Sequence, residues 1–263
     1  AKKKKVETYN AQVESLKHFR DALGKVRRAL ANVPTYMAFD DHEITDDWYI
    51  HRHMRENVLE SPLGRRIVTN GLCAYSVFQA WGNTPAQFRA GEAGGMFLNS
   101  LSRWRGEDSS ASYTDICTAV GTVSAGTPPE LRFDYEVVGP EHQVIVLDTR
   151  TRRGYPGEHD EEQPDLLTLA EINTQVADRI QSATARKHLT VLLSPAPVFG
   201  HPVAEFGQDL ASEVASTSAL DHETWLITTR RAAFERLLET LVPCRSVLIL
   251  SGDVHYAFTF SAR

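Results

Sequence analysis

Apolar and polar positions along the chain change period several times, and each change marks an element. From residue 5 to residue 32, Val13, Leu16, Phe19, Leu23, Val26 and Leu30 recur every three or four positions while Lys and Arg take the other face, which is the spacing of an amphipathic helix. Pro34 breaks that period, and Tyr36, Met37, Ala38 and Phe39 then make a continuous apolar run of the kind that forms a short buried strand. Helical spacing resumes over 49–59. Ser61-Pro62 opens another helix over about 63–81, with proline where the first turn tolerates it, and Gly82-Asn83 closes it. Between 84 and 126 the pattern is weak, with helices over 95–105 and 113–120 around the polar break 106–110; this segment reads as a helical cap over a site. The period becomes two at Leu131, Phe133, Tyr135 and Val137, Gly139-Pro140 turns the chain, and 144–147 returns it, predicting a β-hairpin. A long acidic loop from Glu158 to Asp165 follows, of a length that usually serves a function. A helix over 169–184, a strand over 189–193, a helix over 223–241 and a strand over 247–250 complete the alternation, and 256–260 alternates like one more strand. Helix and strand in turn predict an α/β fold.

Two of the predicted strands end in the same way. The run through Phe39 leads into Asp40-Asp41-His42-Glu43, and the run through Leu250 leads into Ser251-Gly252-Asp253-Val254-His255. Open α/β sheets place ligands at the carboxyl ends of their strands. Carboxylate oxygen together with imidazole nitrogen suits iron, manganese or zinc, and Gly252 lets the backbone turn without a Cβ clash. Taken singly, a Gly-Asp-x-His is as readily a turn with capping acids; two such stretches in one chain point to a site. Hydrolysis of a phosphate ester needs charge neutralisation at the phosphoryl oxygens, a nucleophile made from water and a proton for the leaving alkoxide, and Asp40, Asp41, Asp253 and His255 carry the right atoms. Arg150, Arg152 and Arg153 lie just past a strand end, where guanidinium could pair with substrate phosphate. A solvated basic loop balancing Glu158, Asp160, Glu161 and Glu162 accounts for them equally well. Trp48 and Trp225 read as core.

The 263 residues are 42% hydrophobic and 24% charged, which suits one large core or one domain with insertions. A net charge of -6 argues against a nucleic-acid binder that relies on bulk phosphate attraction. No apolar run reaches the roughly 20 residues that cross a bilayer, and Ala1-Lys-Lys-Lys-Lys-Val is followed by polar helix with no apolar signal core. Cys73, Cys117 and Cys244 are odd in number and widely spaced, so they read as buried thiols and mildly favour a reducing compartment. With no signal in the chain a cytoplasmic location is favoured, and export would need a signal ahead of residue 1.

The chain resembles the PhoD-like phosphatases of the metallo-dependent, calcineurin-like phosphoesterase superfamily from about residue 30 to its end. The resemblance is carried by Pro34-Thr-Tyr-Met, Phe39-Asp-Asp-His-Glu-Ile-Thr-Asp-Asp-Trp48, Phe78-Gln-Ala-Trp-Gly-Asn83, Val146-Leu-Asp-Thr-Arg-Thr-Arg152, Leu193-Ser-Pro-Ala-Pro197, Asp221-His-Glu-Thr-Trp225 and Leu250-Ser-Gly-Asp-Val-His255, in that family's order. It implies an αββα sandwich, mixed sheets flanked by helices, over 1–263, and a metal-dependent phosphatase or phosphodiesterase acting on phosphate mono- or diesters. The implied cofactors are two or more metal ions, iron and calcium first, manganese or zinc otherwise. Asp41, Asp253 and His255 would be metal ligands and His42 the general acid. Asp40, Glu43, Asp46, His201 and Asp221 are weaker or outer-sphere candidates; Asp221 is also a good helix N-cap. The family's upstream glycine-aspartate segment, with its following tyrosine and aspartate, has no counterpart here. The expectation is therefore a fragment carrying about half the ligands, and the competing class is a non-catalytic binding module with an incomplete metal site. If the sites are one, the Asp41 and Asp253 carboxylates lie within about 8 Å, the span of two ions and their ligand bonds. An unpaired sheet edge beside them is expected as well.

Overall fold

The computed structural model describes residues 2–45, 48–49, 52–155, 165–182, 188–199 and 231–252, with 259 and 261. Two compact units divide the chain, 1–37 and 38–263. The first is dominated by helix α1 (Lys2–Leu30), which agrees with the helical period. Its apolar positions stay open to solvent, with Leu16 67% and Phe19 63% exposed.

The second unit begins with a helical layer. Helix α2 spans Arg52–Glu60 and α3 spans Pro62–Tyr75, its start fixed by Pro62 and by the Ser61 hydroxyl accepting from the Gly64 N–H. Helix α3 runs on through a π-helical turn, Ser76–Ala80, to Trp81–Asn83. Helices α4 (Ala93–Arg103) and α5 (Ala111–Val120) follow, and Gly121 ends α5 at φ 73°, a left-handed cap that favours glycine. The segment expected as a cap is built into the domain: Phe88, Phe97, Ile116, Ala119 and Val120 share one core with Phe39, Leu72 and Tyr75.

The sheet follows. Strand β1 (Tyr135–Val138) pairs antiparallel with β2 (His142–Val146) as the predicted hairpin, although it is shorter than the alternation suggests. Strands β3 (Leu189–Ser194) and β4 (Val247–Ser251) continue in parallel, in the order β1-β2-β3-β4. Helix α6 (Leu169–Ile172), extended through a π-helical turn Asn173–Ala177 to Asp178–Ser182, and helix α7 (Arg231–Leu241) cover the sheet. Ile145, Leu147, Ile172, Val176, Leu192 and Leu237 form the resulting second core. The protein is thus α/β, with one four-stranded mixed sheet among the described residues. Strand β4 is the outermost of these and leaves Val247, Leu248 and Leu250 exposed. No described helix is long and apolar enough to cross a membrane.

Two expectations need correction. Residues 36–39 join no strand ladder among the described residues: Phe39 is fully buried but Tyr36 is 55% exposed, so the run has one anchor and lacks a two-sided strand surface. Tyr49, expected within a helix, sits at φ 58° in the left-handed region, stacked on Trp48 with ring centroids 4.0 Å apart; the helix described after it is Arg52–Glu60. The expected strand over 256–260 and the helix over 223–230 lie outside the described residues.

Candidate functional site

Parallel pairing decides where chemistry can gather. The register sets Val146 beside Leu193 and Ser194 beside Ser251, so β2, β3 and β4 deliver their carboxyl ends to one edge of the sheet. At the end of β2, Asp148 is fully buried. Its carboxylate accepts from the N–H groups of Arg150 (3.1 Å) and Thr151 (2.8 Å) and from the Thr151 hydroxyl, an Asx-type turn that holds the chain as far as Thr151. Burial raises the Asp148 pKa, and the bonds from Thr151 oppose that rise.

The turn aims Arg150 at the acidic stretch. Its Nε donates to Asp40 Oδ1 at 2.7 Å, and Nη2 lies 2.6 Å from the same oxygen and 3.3 Å from Asp41 Oδ1. Arg150 and Asp41 are both buried. Phe39 anchors the approach in the helical core, and a single 3-10 turn, Asp41–Glu43, presents the side chains. Glu43 Oε2 accepts from the Asp40 N–H at 2.9 Å, so Glu43 braces the turn. Its pKa is raised, first by burial and then by the neighbouring Asp40 and Asp41 charges. His42 sits on the surface side with its side chain 71% exposed, and its Nδ1 lies 2.9 Å from Asp41 Oδ1. That contact occupies Nδ1 of the ring.

Asp40, Asp41, His42, Glu43 and Arg150 therefore meet, across more than a hundred residues of sequence. Arg152 does not join them. It is held by the carbonyls of Pro129 (2.7 Å) and Leu131 (3.0 Å) and by Glu171 (3.9 Å), inside a network that also ties Arg132 to Asp134 and Glu171, and Arg179 to Asp134. Burial lowers the Arg152 pKa. Asp46, His201, Asp221, Asp253 and His255 lie outside the described residues, and so does the distance between the Asp41 and Asp253 carboxylates. The residue before Asp253 is described: Gly252 donates its N–H to Ser194 O at 3.0 Å, and a Cβ there would stand 2.0 Å from Pro195 O. Only glycine fits at the end of β4, on the edge shared with Asp148 and Arg150.

Sequence reasoning missed the part played by Asp148. Its signal was present in Asp148-Thr-Arg-Thr151, an acid at a strand end followed by backbone N–H groups two and three residues on. Among the described residues no group of three or more His, Cys, Asp and Glu side chains is arranged to hold a metal ion. Compared with protein-family models, with curated proteins and with solved structures, the chain finds no match.

Proposed function

We propose that the chain is a metal-dependent phosphoester hydrolase of PhoD type, built on the αββα sandwich that the sequence resemblance implies. The observation that carries this reading is the meeting of Asp40, Asp41 and His42 with Arg150 at the carboxyl end of β2, on the edge where β4 leads through Gly252 towards Asp253. Asp41 and His42 offer carboxylate oxygen and imidazole nitrogen, a donor set that suits a divalent transition metal. Asp41 would hold the metal together with Asp253 and His255, and the bound ions would supply an activated water and neutralise phosphoryl charge. His42 serves as general acid: its Nδ1 is engaged by Asp41, and Nε2 is the ring atom to pass a proton to a leaving oxygen. Arg150 keeps Asp40 and Asp41 in place and balances their charge.

The test is turnover of a chromogenic phosphomonoester and phosphodiester by the full chain, with manganese, zinc, iron or calcium and with chelator. Metal-dependent hydrolysis abolished by chelator, and lowered about 100-fold or more in His42→Gln, is the expected result. Chelator-insensitive turnover, or none with any metal, would falsify it. The second reading, a non-catalytic binding module, draws on the fact that Arg150 already engages both carboxylates. Calorimetric titration with manganese separates the two, since an incomplete site binds at best one ion weakly.

A further inference from the structure

Helix α2 opens with a charge arrangement that its own dipole disfavours. Arg52 is its first residue, Arg55 lies one turn on along the same face, and the first turn holds no acid. Arg55 is only 7% exposed, yet among the described residues no carboxylate pairs with it or with Arg52. Its guanidinium lies 5.1 Å from the Tyr49 ring centroid and 5.7 Å from that of Tyr155, reaches Thr127 O at 3.5 Å and hydrogen-bonds the Tyr155 side chain. The Arg55 Nε–H is buried without an acceptor. Arg52 donates to the carbonyl of Tyr155, and the buried Arg153 brings a third guanidinium to the Tyr49 carbonyl at 3.5 Å. Buried cations in proteins are paired, and two aromatic faces return less than the desolvation of a guanidinium costs. Among the described residues, then, Arg52 and Arg55 bring two cations to the tyrosines with no carboxylate on either, and Arg55 carries a buried donor that an anion would satisfy.

We propose that Arg55 and Arg52 form an oxyanion subsite for a second phosphate group of the substrate. This deepens the phosphoesterase reading and rests on it for the word substrate. Guanidinium offers two parallel N–H groups to two phosphoryl oxygens, and the Nε edge of Arg55 is the edge without a partner. Arg153, at the subsite, follows Arg150, on Asp40 and Asp41, by three residues of the chain. The preferred substrate class is then a phosphoester whose alcohol carries a further phosphate.

Two measurements decide this. In chelator, inorganic phosphate titrated calorimetrically should bind the wild type and raise its thermal midpoint. Arg55→Met should bind about tenfold more weakly or worse, and its midpoint should no longer respond. A purely structural Arg55 predicts the opposite pattern, a less stable variant and a wild type indifferent to phosphate. Phosphate that does not bind, or that binds Arg55→Met equally well, overturns the subsite; if that variant does not fold, the half-buried Arg52→Met carries the same comparison. With metal present, 1,4-butanediol bisphosphate should show a KM about tenfold below that of butyl phosphate, and the preference should collapse in Arg55→Met. Equal KM values for the two esters in the wild type overturn the substrate class. If neither ester is hydrolysed, the phosphoesterase reading fails while the phosphate titration still decides the subsite.

Discussion

Arg150 shows how much one side chain can settle. With its side chain 2% exposed, it contacts Asp40 and Asp41, and removing it strands a carboxylate pair of which Asp41 is 6% exposed. Arg150→Met should therefore lose about 3 kcal/mol or more in urea unfolding, the usual cost of breaking a buried pair from one side. The same variant probes the donor role of the acids. If Asp40 and Asp41 bind metal, manganese replaces the missing cation and raises the midpoint of Arg150→Met by more than that of the wild type. An equal response in both proteins would separate these acids from any metal site. Glycine 252 matters through what it lacks, since no side chain fits against Pro195 O where β4 ends.

Between elements, ion pairs tie the segment before β1 to α6. Arg132 Nη2 lies 2.7 Å from Glu171 Oε2 and its Nε 2.8 Å from Asp134 Oδ1, and Gln175 donates to Glu171 at 3.0 Å. Burial alone would raise the Glu171 pKa, but the bonds from Arg132 and Gln175 prevail and lower it below 4.5. A depressed acid contributes stability that is present above pH 4.5 and lost as pH falls through its folded pKa. Glu171→Gln should accordingly flatten the decline of unfolding free energy below pH 4.5 and lower stability at neutral pH; matching pH profiles for variant and wild type would remove Glu171 from acid unfolding. Glu43 works in the other sense. Its raised pKa contributes stability below pH 4.5 that is lost as pH rises through the folded value. The brace on the Asp41–Glu43 turn is thus held against an electrostatic cost at neutral pH.

At the scale of the second unit, two cores meet at the site. Phe39, in the helical core, leads into Asp40 and Asp41; Leu147, in the sheet core, leads into Asp148 and Arg150; the ion pairs join them. A bimetallic centre would extend that junction to the end of β4. Asp41→Asn and Asp253→Asn should then each weaken manganese binding, and the double variant should lose less than the sum of the two, because side chains on one centre are coupled while distant ones add. Strict additivity in the calorimetric cycle would place the two acids at separate sites.

Periodicity in the sequence was enough to specify most elements. The 3.6-residue stripes gave α1, α3 and α6, the alternation gave the β1–β2 hairpin, and Ser61-Pro62 marked where α3 starts, because these signals act over one or two turns of chain. The acids and the histidine of 40–43 were legible for the same reason: their side chains follow one another directly. Tertiary structure alone decided what they meet. That Arg150 turns to Asp40 while Arg152, two residues on, turns into the Arg132–Glu171 network depends on a turn headed by buried Asp148 and on the parallel register of β2 and β3. The apolar run 36–39 stayed outside the described ladders, since the partners a strand would pair with lie far away in sequence and leave no local trace in it, and Tyr49 took a left-handed backbone, stacked on its neighbour Trp48, which its helical spacing does not announce.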